Sequence, residues 1–389
     1  MEKKKLKIAI IAKLFAPISP SSAGGTETFV YNLARELKKR GHEITLFASG
    51  DSRIEDVKII PVVQESYWFK FKKPIQTGNK MLLYRKYMSD EILGYLKFLF
   101  YLRAHEKEFD IIHDNALYFL PIVLHNFFFK LPFVTTLHVP EKSFSDIFQI
   151  MNDLLDSKSF NDYFISISEN QYYSMKEINP FAVNYNGIDE ERFQFSQGRD
   201  DYLFWIGRIV PEKGLDKAIE ISSKTKYPLK VVGAIADQTY FDKIIEPLLK
   251  ANSQVTYFKE VVGQDLVKLY QNAKALLFTI NWDEPFGLVM IEAMACGTPV
   301  IAFNRGAVSE VIKDGETGFI CPAGDIDAMA RAVKKIYEMP DAQYQAMRRV
   351  CRKHIEENFT VKKMVDGYEK IYQKVIEDWK RKSRKIENS

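Results

Sequence analysis

Two carboxylates, Glu284 and Glu292, flank a strand-to-helix corner in the C-terminal half of the sequence. Glu284 comes just before the predicted helix, and Glu292 lies just over one turn inside it. Gly287 allows a tight turn after which the N–H groups of Gly287, Leu288 and Val289 point along the helix axis, and such a helix N-terminus receives phosphate. The two acids could be a general acid/base pair, yet this placement suits hydrogen bonds to ligand hydroxyls better. The alternative is that both are surface carboxylates that only stabilise a helix start.

A second strand-to-helix turn, at residues 206–214, carries two cations, Arg208 and Lys213. Two fixed cations can neutralise a bound pyrophosphate and the charge that grows on it as a glycosidic bond breaks. A lysine in a loop is usually only solvated. The motif around Glu284 supports the assignment of this turn to phosphate binding.

The N-terminal half offers a glycine pair, Gly24 and Gly25, and one histidine, His138. The glycines stand at a predicted helix start and permit close approach of phosphate or sugar, although they could be plain turn residues. They do not form the GxGxxG fingerprint, so nicotinamide binding is unsupported. His138 follows a predicted strand and is expected to point towards a cleft, and the alternative is an ordinary core or loop histidine.

The elements that must position these residues alternate between short apolar runs and segments of helical period, which predicts a parallel sheet covered on both faces. The series repeats after the polar stretch 186–201, so we expect two doubly wound α/β domains with a cleft between the carboxyl ends of their sheets. The expected domains are 1–190 and 191–364. A final helix with apolar residues at Met364, Tyr368, Ile371 and Val375 is expected to pack back on the first domain, and Lys380–Ser389 to fray.

Composition narrows the class of protein. The net charge of +4 arises from 55 basic and 51 acidic residues in a chain of 389, which does not indicate nucleic-acid binding. Three cysteines without metal-ligand spacing argue against disulfides and structural zinc. No apolar run reaches the roughly 20 residues of a spanning helix, and the N-terminus does not resemble an export signal. We therefore expect a cytoplasmic protein, or one peripheral to the inner face of a membrane.

Residues 66–105 break the pattern because basic and aromatic side chains alternate there. Such a segment can mark a surface that meets a membrane or an anionic acceptor. The alternative is a pair of helices whose aromatic residues are core and whose lysines are merely solvated.

The chain resembles the retaining glycosyltransferases of family 4, which have the GT-B fold, over nearly its whole length. The resemblance is carried by the Glu-x7-Glu motif within Glu284–Val300, by Gly207-Arg208 with Lys213-Gly214, and by three signposts: Gly24-Gly25-Thr26-Glu27, Asn186-Gly187-Ile188-Asp189 and Asp314–Phe319. Within the family, residues 45–52 and 284–288 resemble a branch that includes glucosyltransferases of small-molecule and natural-product acceptors. That branch often has Gly after the histidine, where this chain has Val139.

This resemblance implies that Arg208 and Lys213 bind the diphosphate of a nucleotide sugar, Glu292 its ribose and Glu284 a sugar hydroxyl. Main-chain groups at Phe286, Gly287 and Leu288 would contact sugar and phosphate.

In the first domain, Gly25 resembles the glycine that approaches the donor phosphate, and His138 the histidine that contacts the transferred sugar. Members of this fold need no metal or other cofactor, and no DxD-type ligand pair lies near these motifs, since Asp325-Ile326-Asp327 opens a later helix.

The implied reaction is transfer of a hexose to an acceptor hydroxyl with retention, in glycan, glycolipid or glycoside synthesis. UDP-glucose is the favoured donor, and other UDP- or GDP-hexoses are alternatives. The acceptor would be a carbohydrate, a lipid-linked sugar or a small molecule. The rival interpretations are a sugar-nucleotide epimerase or a phosphorylase of the same fold, and a non-catalytic protein that binds nucleotide sugars.

Overall fold

The computed structural model describes residues 4–22, 24–72, 77–116, 118–140, 162–175, 178–198 and 200–387. The chain forms two compact units. The first consists of Met1–Ile167, Tyr172–Tyr185 and Val361–Ser389, and the second of Ser168–Gln171 and Asn186–Thr360. The main changes between units fall at 185/186 and 360/361, whereas the sequence placed them at 190/191 and 364/365.

The first unit is built on a seven-stranded parallel sheet in the order β3-β2-β1-β4-β5-β6-β7. Its strands are β1 Lys7–Ile11, β2 Glu43–Ser49, β3 Lys58–Val63, β4 Ile111–Asp114, β5 Phe133–Leu137, β6 Asp162–Ser166 and β7 Ala182–Val183. Its helices are α1 Gly25–Lys39, α2 Trp68–Lys72, α3 Thr77–Ala104 and α4 Phe119–Phe128, and a short helix α5 Glu169–Ser174 follows β6.

Both faces of this sheet are buried, as the apolar strands require. Ile8 and Ile10 of β1 join a core with α1 and the last helix of the chain, whereas Ala9 and Ile11 join a second core with α3. Successive strand residues point to opposite faces, so a continuously apolar strand serves two cores at once.

The second unit holds a six-stranded parallel sheet in the order β10-β9-β8-β11-β12-β13. Its strands are β8 Leu203–Ile206, β9 Leu229–Val232, β10 Val255–Phe258, β11 Ala275–Phe278, β12 Val300–Phe303 and β13 Gly318–Cys321. Its helices are α6 Leu215–Thr225, α7 Gln238–Tyr240, α8 Glu246–Ala251, α9 Gly263–Asn272, α10 Leu288–Ala295, α11 Val308–Val311, α12 Ile326–Tyr337 and α13 Asp341–Asn358. A π-helical stretch, Phe241–Ile245, joins α7 to α8.

The last helix, α14 Val361–Glu387, belongs to the first unit. Its four apolar positions, which the sequence predicts to face inwards, are all buried in the core beside α1: Met364, Tyr368, Ile371 and Val375. Arg40, which follows α1, donates hydrogen bonds to Asp366 at 2.6 Å and to Glu369 at 2.8 Å. The chain therefore returns to the first unit through both apolar and charged contacts.

The expected fraying from Lys380 onwards is wrong, because α14 remains helical to Glu387. Asp378 accounts for the difference. Its carboxylate accepts a hydrogen bond from Tyr163 Oη of β6 at 2.8 Å and pairs with Arg381 and Lys382 one turn later. These bonds tie α14 to the sheet at Asp378 and link the next helical turn to the same carboxylate.

No helix in the described ranges is long and apolar enough to cross a bilayer.

Candidate active site

Lys213 and Glu284 form an ion pair at the carboxyl ends of two neighbouring strands, β8 and β11. Lys213 Nζ lies 2.5 Å from Glu284 Oε2, and Trp282 Nε1 donates to the same oxygen at 2.8 Å. The ammonium also lies 5.1 Å from the centre of the Trp282 ring. Side-chain exposure of only 19% and 17% strengthens the attraction between the two charges. The fold thus brings together two residues that the sequence had placed in separate motifs.

Gly214 explains how the two loops come so close. It adopts a left-handed conformation with φ of 65°, and a Cβ atom there would lie 1.9 Å from the carbonyl oxygen of Thr279. Thr279 Oγ1 donates to the Gly214 carbonyl at 2.7 Å, and Asn281 N donates to the Glu212 carbonyl at 2.8 Å. These bonds fix Lys213 opposite Glu284.

The start of α10 is shaped by Gly287, which has φ of 87°. A Cβ atom at this position would lie 2.7 Å from Met290 Cε and 3.0 Å from Phe278 Cζ. The helix begins at Leu288, so the N–H groups of Leu288 and Val289 lie in the first turn, where no carbonyl of the same helix accepts them. This arrangement suits an anion or a polar ligand oxygen. The Phe286 side chain is buried, so only its main chain could serve a ligand.

Glu292 has partners different from those of Glu284. Tyr270 Oη of α9 donates to Glu292 Oε2 at 2.5 Å. Burial raises the pKa of Glu292, against the lowering effects of this hydrogen bond and of Arg192. The two glutamates therefore do not share a hydrogen-bonded site, which fits separate ligand contacts better than a joint acid/base pair.

Arg208, predicted as the second phosphate cation, has an exposed side chain just beyond β8. Within the described ranges its guanidinium makes no ion pair. The structure thus brings Lys213, but not Arg208, into contact with Glu284.

Several residues that shape the site were not found by sequence reasoning. Trp282 and Tyr270 bind the two glutamates. Gly306 lies against the Glu284 backbone, since a Cβ atom on it would be 2.2 Å from the Glu284 carbonyl oxygen, which Ala307 N binds at 3.1 Å. The only signal for Trp282 is its position two residues before Glu284, and nothing in the sequence indicates that Tyr270 or Gly306 belongs here.

In the first unit, His138 directly follows β5 and is half-buried. Its Nε2 lies 3.0 Å from Asn115 Oδ1, and its ring is 4.6 Å from that of Phe29, edge to face. Burial, together with the nearby His113 and Lys13, lowers the pKa of His138 to about 3. The imidazole is therefore neutral at physiological pH. A neutral ring with Nε2–H donated to Asn115 leaves Nδ1 as an acceptor.

Gly24 and Gly25 lie at the start of α1, as predicted. Gly24 caps the helix in an extended conformation, and a Cβ atom there would lie 1.9 Å from Glu27 Oε2. The Glu27 carboxylate thus lies over the helix N-terminus, where negative charge is stabilised. Gly25 is exposed.

The acids of Asp325–Asp327 serve the helix they open. Asp325 caps α12 by accepting from Ala328 N at 2.8 Å, and Asp327 pairs with Lys224. Among the residues that the structure describes, no group of three or more His, Cys, Asp or Glu side chains could hold a metal ion.

Two family models match the chain in succession. "Glycosyltransferase Family 4" matches residues 23–192, and "Glycosyl transferases group 1" matches residues 187–356. Together they match residues 23–356, a range that includes every predicted site residue.

Curated relatives match over almost the whole chain. Glycogen synthase of Mycobacterium tuberculosis is 25% identical over 91% of this chain and 92% of its own length. The N-acetyl-alpha-D-glucosaminyl L-malate synthase of Bacillus anthracis is 25% identical over 96% of this chain and 98% of its own length.

Solved structures show the same fold. Sucrose-phosphate synthase from Thermosynechococcus elongatus has a TM-score of 0.71 at 19% identity and covers 96% of this chain and 100% of its own. Anabaena Alr3699/HepE, solved with UDP and glucose, has a TM-score of 0.70 at 18% identity, with 95% and 100% covered. With two parallel-sheet α/β units, GT-B structural neighbours and both family models in agreement, the chain belongs to glycosyltransferase family 4 and is a hexosyltransferase that uses a nucleotide-sugar donor.

Proposed function

We propose that this enzyme transfers glucose from UDP-glucose to an acceptor hydroxyl with retention at the anomeric carbon. The observation that carries the proposal is the Lys213–Glu284–Trp282 cluster at the strand ends of the second unit. It offers a cation for a phosphate oxygen and a carboxylate for a hydroxyl within one hydrogen-bonded group. A donor with a sugar on a diphosphate presents both kinds of oxygen.

The roles of the individual residues follow from their chemistry. Lys213 and Arg208 would bind the diphosphate, since cations stabilise the charge that develops on a departing phosphate. The N–H groups at the start of α10, at Gly287, Leu288 and Val289, would add neutral donors to it. Glu292 would accept from ribose hydroxyls.

Glu284 and His138 would contact the transferred sugar. Glu284 is held by two donors and keeps Oε1 for a sugar hydroxyl, because Lys213 and Trp282 both bind Oε2. His138 is neutral and fixed by Asn115, so it would serve as a polar contact, not as an acid at neutral pH. Gly24, Gly25 and the main chain of Phe286 would allow close approach of the donor.

Retention is proposed to follow a same-face path. The bond between the anomeric carbon and the diphosphate oxygen breaks, the acceptor oxygen bonds to the same face, and the departing diphosphate takes the acceptor proton. Lys213 and Arg208 would stabilise the diphosphate as its charge grows. A covalent glycosyl-enzyme intermediate would contradict this path.

The donor is proposed from relatives. HepE was solved with UDP and with UDP-glucose, and the relatives named above act in glycogen and glucosaminyl-malate synthesis by their names. UDP-glucose is the donor we favour, with other UDP- or GDP-hexoses as alternatives. The acceptor class is a carbohydrate, a lipid-linked sugar or a small molecule. We propose that neither metal nor cofactor is needed and that the enzyme acts in the cytoplasm, on soluble acceptors or at the inner face of a membrane.

A donor panel tests the proposal. The enzyme is incubated with UDP-glucose and other UDP-, GDP- and ADP-hexoses, with and without oligosaccharide or lipid acceptors, in the presence of EDTA. Release of free nucleotide is measured, and proton NMR of the product reports the anomeric configuration. We expect acceptor-dependent UDP release and an α-glycoside. A β-glycoside, or nucleotide release that requires added metal, would overturn the corresponding part of the proposal.

A further inference from the structure

Helix α3 carries exposed apolar side chains along its solvent side. Leu82 is 68% exposed, Leu93 62% and Phe100 63%. These residues recur with helical spacing, and Lys86 and Lys97, both exposed, continue the same stripe. We call Leu82, Lys86, Leu93, Lys97 and Phe100 the outer face of α3. It extends over about 27 Å of the helix axis, at about 1.5 Å per residue.

The opposite side of α3 explains why this face is left uncovered. Tyr95, Phe98, Leu99 and Leu102 are fully buried against the first-unit sheet. The helix therefore completes its core contacts without Leu93 or Phe100. Phe127 of the neighbouring helix α4 extends the apolar surface, since it is 65% exposed and the ring of the next residue, Phe128, contacts that of Phe100 at 5.2 Å.

The acidic side chains of α3 are held within the protein. Both are engaged by tyrosines: Asp90 accepts from Tyr67 Oη, and Glu91, only 6% exposed, accepts from Tyr87 Oη at 2.7 Å. The five side chains of the outer face are themselves cationic or apolar. Lys86 and Lys97 line a groove of about 370 Å³ together with Lys70, Glu65 and Asp90, in which Lys70 pairs with Glu65 at 3.4 Å and Lys97 Nζ donates to the Pro61 carbonyl oxygen at 2.8 Å.

From the exposed apolar and cationic side chains on this one face we propose that the outer face of α3 binds the surface of an anionic phospholipid bilayer. Leu82, Leu93 and Phe100 would enter the interfacial region while Lys86 and Lys97 reach lipid phosphates, which are the two contributions that hold a helix in a membrane surface. Charge argues against a second copy of the chain as the occupant. A twofold contact of this face with itself would set cations against cations.

The test is co-sedimentation of the full chain with vesicles of phosphatidylcholine, alone or with about 30 mol% phosphatidylglycerol. We expect binding to the anionic vesicles only, weakened when salt rises from about 0.1 M to about 0.5 M. The variant Lys86→Gln/Lys97→Gln is expected to bind about 30-fold more weakly, since each lysine near such a surface contributes about 1 kcal/mol. Leu93→Ser/Phe100→Ser is expected to lose about tenfold or more.

The second unit supplies matched controls. Lys250→Gln/Lys268→Gln removes two exposed lysines, and Ile244→Ser/Val262→Ser removes two exposed apolar side chains, so neither should change vesicle binding. Equal loss in the control and α3 variants would overturn the proposal. So would binding to neutral vesicles as strong as to anionic ones, or light scattering that shows a wild-type dimer converted to monomer by the α3 changes without vesicle binding. The assay needs no sugar donor, so it stands or falls independently of the proposed transfer reaction.

Discussion

Lys213 Nζ lies 2.5 Å from Oε2 of Glu284, so the cation proposed to bind phosphate and the carboxylate proposed to bind sugar neutralise each other. Each therefore keeps the other in place. The pairing also means that a change at either residue alters the surroundings of its partner, so nucleotide binding and sugar transfer have to be measured separately.

Replacing Lys213 with Ala is expected to lower kcat/KM for UDP-glucose by about 100-fold, because one donor to the charge of the transition state is lost. Steady-state kinetics of acceptor-dependent UDP release measures the effect. Lys224→Ala is the matched control, since Lys224 forms an ion pair with Asp327 in the same unit but is half exposed. Turnover of Lys213→Ala close to that of the control would remove Lys213 from the phosphate site.

Glu284→Gln is expected to impair transfer of the sugar without weakening binding of the nucleotide. It should lower kcat/KM for UDP-glucose about tenfold or more, because a hydrogen bond to a charged acceptor is lost. UDP carries no hexose on its diphosphate, so the Kd of UDP measured by calorimetry should not increase. Loss of UDP affinity equal to the loss of kcat/KM would place Glu284 at the nucleotide instead.

Glu292→Gln is expected to weaken UDP binding by about tenfold through the ribose. Measuring the Kd of 2′,3′-dideoxy-UDP for the variant and the wild type isolates the contact between Glu292 and the ribose, because this ligand lacks the hydroxyls that Glu292 would bind. The variant and the wild type should then differ little.

Tyr270→Phe tests whether the hydrogen bond from Tyr270 positions Glu292, since it removes this 2.5 Å bond without touching the ligand directly. A tenfold loss that persists with the dideoxy ligand would argue for a packing effect.

Acid should destabilise the first unit through His113. Burial lowers its pKa from 6.5 to about 3, while Tyr372 Oη and Thr136 Oγ1 each lie 2.7 Å from its ring nitrogens. Between these two pH values the unfolded chain binds a proton that the folded chain does not. The free energy of unfolding should therefore fall as pH falls from 6.5 towards 3, by up to about 1.4 kcal/mol per pH unit from this residue.

Urea unfolding of the wild type and of His113→Gln between pH 7 and pH 4.5 measures this slope. The variant should be less stable at pH 7 yet lose less stability on acidification. Parallel pH profiles for the two proteins would show that His113 titrates normally in the fold.

The fold could be predicted where burial leaves a periodic pattern. The apolar positions Met364 to Val375 indicated the buried side of α14 correctly. Three of the four edge strands left no such pattern. In β3 only Val62 is buried and Pro61 is exposed, β7 has two residues, and β13 is short and begins with Gly318. The fourth, β10, coincides with an apolar run of the sequence. The other three depend on their neighbours in the sheet more than on their own sequence.

The residues of the candidate site likewise fall into those that the sequence indicates and those that only the fold reveals. Residues with charge and motif spacing, such as Lys213 and Glu284, stand out in the sequence. Their partners depend on tertiary contacts, as with Tyr270 on α9, which reaches Glu292 from a separate helix. The sequence of residues 66–105 also did not predict the partners of Asp90 and Glu91, since only the fold shows that two tyrosines donate hydrogen bonds to them.

Because α14 belongs to the first unit, the order in which the two units can be completed is the reverse of their order along the chain. During synthesis the second unit has all but four of its residues in one stretch, Asn186–Thr360, which leaves the ribosome before α14 does. Until Tyr368 and Tyr372 emerge, His113 and Thr136 lack the hydroxyl groups that bind them, and one face of the first sheet stays open to water. The nascent N-terminal half must therefore wait for the last helix before it can close its core.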